Sequence, residues 1–172
     1  EITFISGKSE MSIQQCLKDN KIIQDNLHAF LNDESNTEER YKILIDIINE
    51  HKICNNKYDL SFLLHLLSKI SKNNHRKPNF ITRIEQILGY IENDMKKYFT
   101  NSEIFNIFKG NKRILLFLFN QKIIIIDKYI VKNIISKSFV KAKYPQYFSP
   151  EIKPFINEDW FPKYEESHSK YV

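Results

Sequence analysis

Apolar residues recur along this chain at intervals of three and four, the period of one helix face, in short segments separated by polar breaks. Ile13 through Leu17, then Ile22, Ile23, Leu27, Phe30 and Leu31 keep that spacing until Asn32-Asp33-Glu34-Ser35-Asn36 interrupts it. Two short helices and a polar loop are predicted there. Thr37, followed by Glu38 and Glu39, reads as the cap of the next helix, with acids at the positive end of its dipole. Its predicted buried stripe is Tyr41, Leu44, Ile45 and Ile48.

After Asn55-Asn56, Leu60, Leu63, Leu64, Leu67 and Ile70 predict a further helix that runs out in Ser71 to Lys77. Pro78 stands where a first helical turn tolerates it, because that position needs no N–H partner. The helix it opens is predicted to be the longest and most amphipathic, with Phe80, Ile84, Ile87, Leu88, Ile91 and Met95 on one face. Thr100-Asn101-Ser102-Glu103 has capping-box spacing. It opens a pair of short helices joined by a Gly110-Asn111 turn, the second of them apolar almost all round. Such a helix needs neighbours to cover it, which makes the pair a unit of a stacked array. Asp127 is the predicted cap of another helix, buried along Ile130, Val131, Ile134 and Ile135 and ending near Ser136.

The final segment changes character. Pro145, Pro150, Pro154 and Pro162 interrupt any long helix, and Tyr144, Tyr147, Phe148, Phe155, Trp160 and Phe161 lie between them. One short helix near Ser149 to Ile156 is predicted, within an irregular strap laid on a helical core. The expected organisation is therefore a helical-hairpin stack over residues 1–143 and a Pro- and aromatic-rich tail over 144–172.

Composition supports helix. The 172 residues are 42% hydrophobic and 27% charged, with only 3 Gly and 5 Pro, which suits a globular chain and not a turn-dense β fold. Thirteen Phe and nine Tyr are read first as core filling and second as contact surface. Cys16 and Cys54 form no spaced framework, so reduced thiols in the cytoplasm are expected. The longest apolar runs, Ile114 to Phe119 and Ile123 to Ile126, are far shorter than the ~20 residues of a membrane span. The chain opens at Glu1 with no initiator Met and no leader pattern, so a piece of a longer polypeptide is expected.

Motifs for catalysis are weak. His28, His51, His65, His75 and His168 are scattered, and His51-Lys52-Ile53-Cys54 supplies two metal ligands with no matching second pair. There is no Gly-x-Ser-x-Gly elbow and no glycine-rich phosphate loop. An enzyme would have to be assembled from His51, Cys54 and His65 meeting in one pocket; each reads more simply as a structural residue. No enzyme, metal or cofactor is expected.

Charge is polarised. From Lys109 to Lys143 nine bases (Lys109, Lys112, Arg113, Lys122, Lys128, Lys132, Lys137, Lys141 and Lys143) face the single acid Asp127, a net of +8. From Asp33 to Glu50 six acids face Arg40 and Lys42, a net of −4. The basic stretch is either a solvated lysine face or a docking surface for an acidic partner, and His75-Arg76-Lys77 would extend it if the fold brings that loop near. Nucleic acid is the second reading, because the bases are mostly Lys and no recognition module accompanies them.

Ser102 to Gln121, followed by Lys122-Ile123-Ile124-Ile125-Ile126-Asp127, resembles a degenerate ankyrin repeat: short helix, Gly-Asn turn, leucine-rich helix, exit loop. Where ankyrin repeats carry Thr-Pro-Leu-His, this chain has Asn101-Ser102-Glu103-Ile104. Asn79 to Glu85, Asn111 to Leu118 and Lys143 to Phe155 are similar to the helical region of unknown function that precedes ankyrin arrays in large protein families of trichomonad-like protists. The expected architecture is an all-α stack of roughly eight short helices, ankyrin-like or solenoidal in its middle, and the resemblance implies that ankyrin repeats continue it beyond Val172. It carries no catalytic residue. The family supplies no activity to carry over, and the expected role is a non-enzymatic scaffold or, alternatively, an architectural cap of the array. In the scaffold reading Lys109, Lys112, Arg113, Lys128, Lys132, Lys137, Lys141 and Lys143 meet an acidic protein surface, such as a cytoskeletal polymer. Trp160 and Phe161 either anchor the tail or insert into the partner.

Overall fold

A computed structural model of the protein describes the backbone of residues 10–127, 129 and 130, and the side chains of residues 20–127, 129 and 130. Every extended element it describes is helical: α1 (Glu10–Asn32), α2 (Thr37–Glu50), a 3-10 turn (Ile53–Asn55), α3 (Lys57–Asn73), α4 (Pro78–Tyr90), α5 (Glu92–Tyr98), α6 (Asn101–Phe108) and α7 (Lys112–Asn120). The all-α class read from the spacing holds. The chain divides into two compact units, one up to Phe99 and one from Thr100. The tail boundary expected at 143/144, the helix to Ser136 and the short helix near Ser149 lie outside the described residues.

The first departure is α1, a single 23-residue helix where two short ones were expected. No Gly or Pro interrupts it, and the Asp19-Asn20-Lys21 triplet costs only a few tenths of a kcal/mol per residue in helix propensity, about 0.7 at most. Burial of Ile23, Leu27, Phe30 and Leu31, each worth about 1.5–3 kcal/mol, outweighs that cost. Lys21 reaches Asp25 one turn on at 3.1 Å.

The second departure is the cap of α2. Thr37 is already helical, and its hydroxyl donates backward to the Asp33 carbonyl at 3.2 Å. Asp33 organises the turn instead, its carboxylate accepting from the Asn36 N–H (3.2 Å), the Ser35 hydroxyl (3.0 Å) and the Arg40 guanidinium (3.1 Å). Leu44 and Ile48 are buried as predicted, Tyr41 and Ile45 half-buried, and the Tyr41 ring lies 5.4 Å from that of Phe30.

α3 begins as a capped helix: the Asn56 side chain accepts from the Asp59 N–H at 2.9 Å. Its apolar face is wide enough to bury Leu60, Leu63, Leu64, Leu66, Leu67 and Ile70. Pro78 stands at the first turn of α4, as its sequence position requires. The predicted long helix over 80–95 is in fact two, hinged at Ile91 (φ −97°, ψ 14°), while the buried stripe continues through Ile91 and Met95. Ile81 and not Phe80 completes that stripe; Phe80 is half-buried beneath the Lys77 ammonium, 4.8 Å from its ring centre. The longest helix is α1, not this one.

Loops of four residues, 33–36 and 74–77, force antiparallel neighbours. α1 packs on α2 and α4, α3 on α4, and the 3-10 turn touches both α2 and α3. Arg83 donates from α4 to the Leu31 carbonyl at the end of α1, while Asn49 and Tyr90 pair at 2.9 Å between the far ends of α2 and α4. The α1–α2 and α3–α4 loops therefore share one end of the unit.

In the second unit both arms of the predicted capping box are present: Glu103 N–H to the Thr100 hydroxyl (3.2 Å) and Thr100 N–H to the Glu103 carboxylate (2.8 Å). Gly110 turns the chain with φ 97°, a conformation Gly adopts without penalty, and α7 buries Ile114, Leu115, Leu118 and Phe119. α7 then ends in a Schellman closure, with Ile123 N–H on the Leu118 carbonyl (2.9 Å) and Lys122 N–H on that of Phe119 (3.0 Å). The left-handed position, usually Gly, is Lys122 at φ 57°.

Candidate interaction surface

The hairpin of α6 and α7 raises Lys109 in its turn and Lys112 and Arg113 in the first turn of α7, all three exposed, with Lys122 exposed beyond the helix. The sequence from Ile104 to Ile126, which holds these four bases, contains no acid. α7 has no acidic residue in its first turn and no side-chain cap, so the positive end of its dipole adds to the lysine field. This tip is the described part of the predicted basic surface. Lys128, Lys132, Lys137, Lys141, Lys143, Trp160 and Phe161 lie outside the described residues.

What holds the segment after α7 was not read from the sequence. The Asn101 side chain donates to the Ile125 carbonyl (2.5 Å) and to Asp127 (3.0 Å), and accepts from the Ile125 N–H (2.8 Å). It thus pairs with a stretch of main chain as a neighbouring strand would. Five residues along α6, Asn106 meets the Tyr129 hydroxyl at 3.0 Å. Asp127 accepts from the Ile130 N–H (2.9 Å), as its predicted capping role requires. The basic tip is therefore mounted on a clasped frame. No local spacing signals this clasp, because its halves are 24 residues apart.

The residues of the hypothetical enzyme have different surroundings. His65 is exposed on α3, its Nδ1 2.8 Å from the Ser61 carbonyl. Cys54 is half-buried in the 3-10 turn, and burial, with the carboxylate of Asp94 beside it, pushes its thiol up to about 12. A thiol so placed stays protonated near neutrality and is a poor nucleophile. His51 is half-buried in the turn before it. Among the described residues no three His, Cys, Asp or Glu side chains are grouped to hold a metal ion, and no helix is long and apolar enough to cross a membrane.

The first unit carries a second basic region. From Leu60 to Ile84 it has Lys69, Lys72, Arg76, Lys77 and Arg83 and no acid. Arg83 is engaged by Leu31, while the other four are exposed on the end of α3 and the loop after it. The signal for this region in the sequence is the absence of acids over 25 residues, within which His75-Arg76-Lys77 is the densest basic run. No protein-family model matches the chain, and neither a curated protein nor a solved structure matches it.

Proposed function

We propose that this chain is a non-enzymatic scaffold module that binds an acidic protein surface through the basic tip of the α6–α7 hairpin. The observation that carries the reading is the exposure of Lys109, Lys112, Arg113 and Lys122 around one helical turn and the end of its helix, in a stretch of sequence without acids. The surrounding architecture supports it: short helices seal their apolar faces against one another and leave polar faces outward, as in arrays that present surface. Stacking of an ankyrin-like kind, with Lys128 to Lys143 continuing the basic surface and Trp160 and Phe161 serving the tail, belongs to the same proposal.

Cytoskeletal polymers present acidic surfaces and provide a direct test. The chain should pellet with polymerised actin or with microtubules at low salt and stay in solution at high salt, where the field is screened. The triple reversal Lys109→Glu, Lys112→Glu and Arg113→Glu should abolish pelleting. Affinity capture from cells with and without the reversal extends the test to other acidic proteins, and recovery unchanged by the reversal would reject the reading.

Nucleic acid is the second reading, favoured by the same acid-free lysines. Filter binding of an oligonucleotide separates it: phosphate contacts give a steep fall in retention as salt rises, and no retention at low salt excludes it.

A further inference from the structure

Two loops of opposite charge share one end of the first unit, which no linear reading of the chain shows. The α1–α2 side carries Glu34, Glu38 and Glu39, all exposed, around an open hollow that also includes Lys42. Asp33 does not add to that field, since its carboxylate is occupied by Arg40 at 3.1 Å. The α3–α4 side carries Lys72, Arg76 and Lys77, also exposed. Lys77 lies over Phe80, and neither Lys72 nor Arg76 forms an ion pair among the described residues. The bond from Arg83 to the Leu31 carbonyl fixes α4 against the end of α1, so both patches face outward at the same end.

A face bearing both signs suits neither a polyanion nor a polycation. Either would be drawn to one loop and repelled by the other within about one Debye length, ~10 Å at 0.1 M salt. A partner must carry the reversed layout. A second copy turned by a two-fold axis that passes between the two loops, perpendicular to the line joining them, supplies it, because such an isologous contact sets loop i on loop j and j on i.

We propose that this end of the helical unit is a self-complementary docking surface for a second copy of the chain, with Glu34, Glu38 and Glu39 of each copy facing Lys72, Arg76 and Lys77 of the other. The contact is small. Four helix ends, each ~10 Å across, cover on the order of 400 Å² per copy, about half the ~800 Å² per partner of a standard stable interface. The pairing is therefore weak, fast and salt-sensitive. It is separate from the hairpin tip at Lys109 to Arg113 and does not depend on the function proposed above.

Sedimentation velocity of the full chain tests it at about 20 mM and about 500 mM salt, between which the Debye length falls from roughly 20 Å to roughly 4 Å. The weight-average sedimentation coefficient should rise with concentration in the first buffer, and the apparent dissociation constant should increase at least about tenfold in the second. The set Glu34→Lys, Glu38→Lys, Glu39→Lys and the set Lys72→Glu, Arg76→Glu, Lys77→Glu should each be monomeric alone, with helical circular dichroism retained. Mixed one to one, the two variants should associate again, because one of the two loop contacts keeps its native charges and the other has the charges of both sides exchanged. A wild type that remains monomeric at low salt overturns the proposal. So does self-association that survives either set, or a mixture that fails to associate.

Discussion

Replacing Asn101 with Ala should release the segment that follows α7. The side chain makes three hydrogen bonds, two to the Ile125 main chain and one to the Asp127 carboxylate. A net 0.5–1.5 kcal/mol for each neutral bond, and about 1.5–3 kcal/mol for the one to a charged acceptor, gives a gross loss of about 2.5–6 kcal/mol. Two effects reduce it. Ile125 is 39% exposed, so water can take over its N–H and carbonyl, and Ala is the better helix former by up to about 0.7 kcal/mol. A net loss of about 1.5–2.5 kcal/mol remains. Asn101→Asp keeps the acceptor for the Ile125 N–H but turns an oxygen toward the Ile125 carbonyl and Asp127, so it should destabilise at least as much.

The assay must be local, because two compact units need not unfold together and a single denaturation curve would merge them. Amide hydrogen exchange provides this. The Ile125 N–H should lose its protection in the Ala variant, with the loss extending toward Ile130 as the Asp127 cap loosens, while α1 to α4 remain unchanged. If Ile125 stays as protected as before, and stability falls by less than about 0.5 kcal/mol, the clasp does not hold this segment.

Three other outcomes follow from single residues. Lys122→Gly should stabilise the second unit by about 0.5–1 kcal/mol, the left-handed penalty relieved less the entropy of Gly, as read by urea denaturation; a loss would show that the lysine side chain contributes more than its backbone strain costs. With Cys54 raised from 9.0 to about 12, its thiolate fraction at pH 8 falls about 10³-fold, so iodoacetamide should label it correspondingly more slowly than in the unfolded chain and faster in Asp94→Asn; equal labelling, folded and unfolded, would contradict the burial and the Asp94 contact. The Arg40 guanidinium, then the Ser35 hydroxyl, holds the Asp33 carboxyl below its ordinary range, so its stabilisation of the α1–α2 turn is present above pH ~4 and is lost as pH falls through the lower folded value. A carbon-detected NMR titration of Asp33 reads this directly, and an ordinary midpoint would refute it.

Local interactions made much of the fold legible in the sequence. The Thr100–Glu103 box, Pro78 at a first turn, Gly110 in its turn and the stripe from Leu60 to Ile70 all depend on neighbours within about one helical turn. That range is what a spacing pattern records. The hairpin carrying Lys109, Lys112 and Arg113 was readable for the same reason, and so was the absence of acids along the chain from Ile104 to Ile126. Competition between nearby groups was not readable: Asp33 took over the turn that Thr37 was expected to cap, and burial along α1 carried one helix through a polar triplet that reads as a break.

Tertiary structure decided the rest. Asn101 meets Ile125 across 24 residues, Arg83 meets Leu31 across 52, and the acidic and basic loops share an end because successive helices reverse direction. A hydrogen bond or a charge pair depends on distance in space. Sequence spacing reports that distance only while the chain between the partners is one continuous helix or a tight turn. Beyond that, hydrophobic faces select which helices meet, and only their meeting brings the polar groups together.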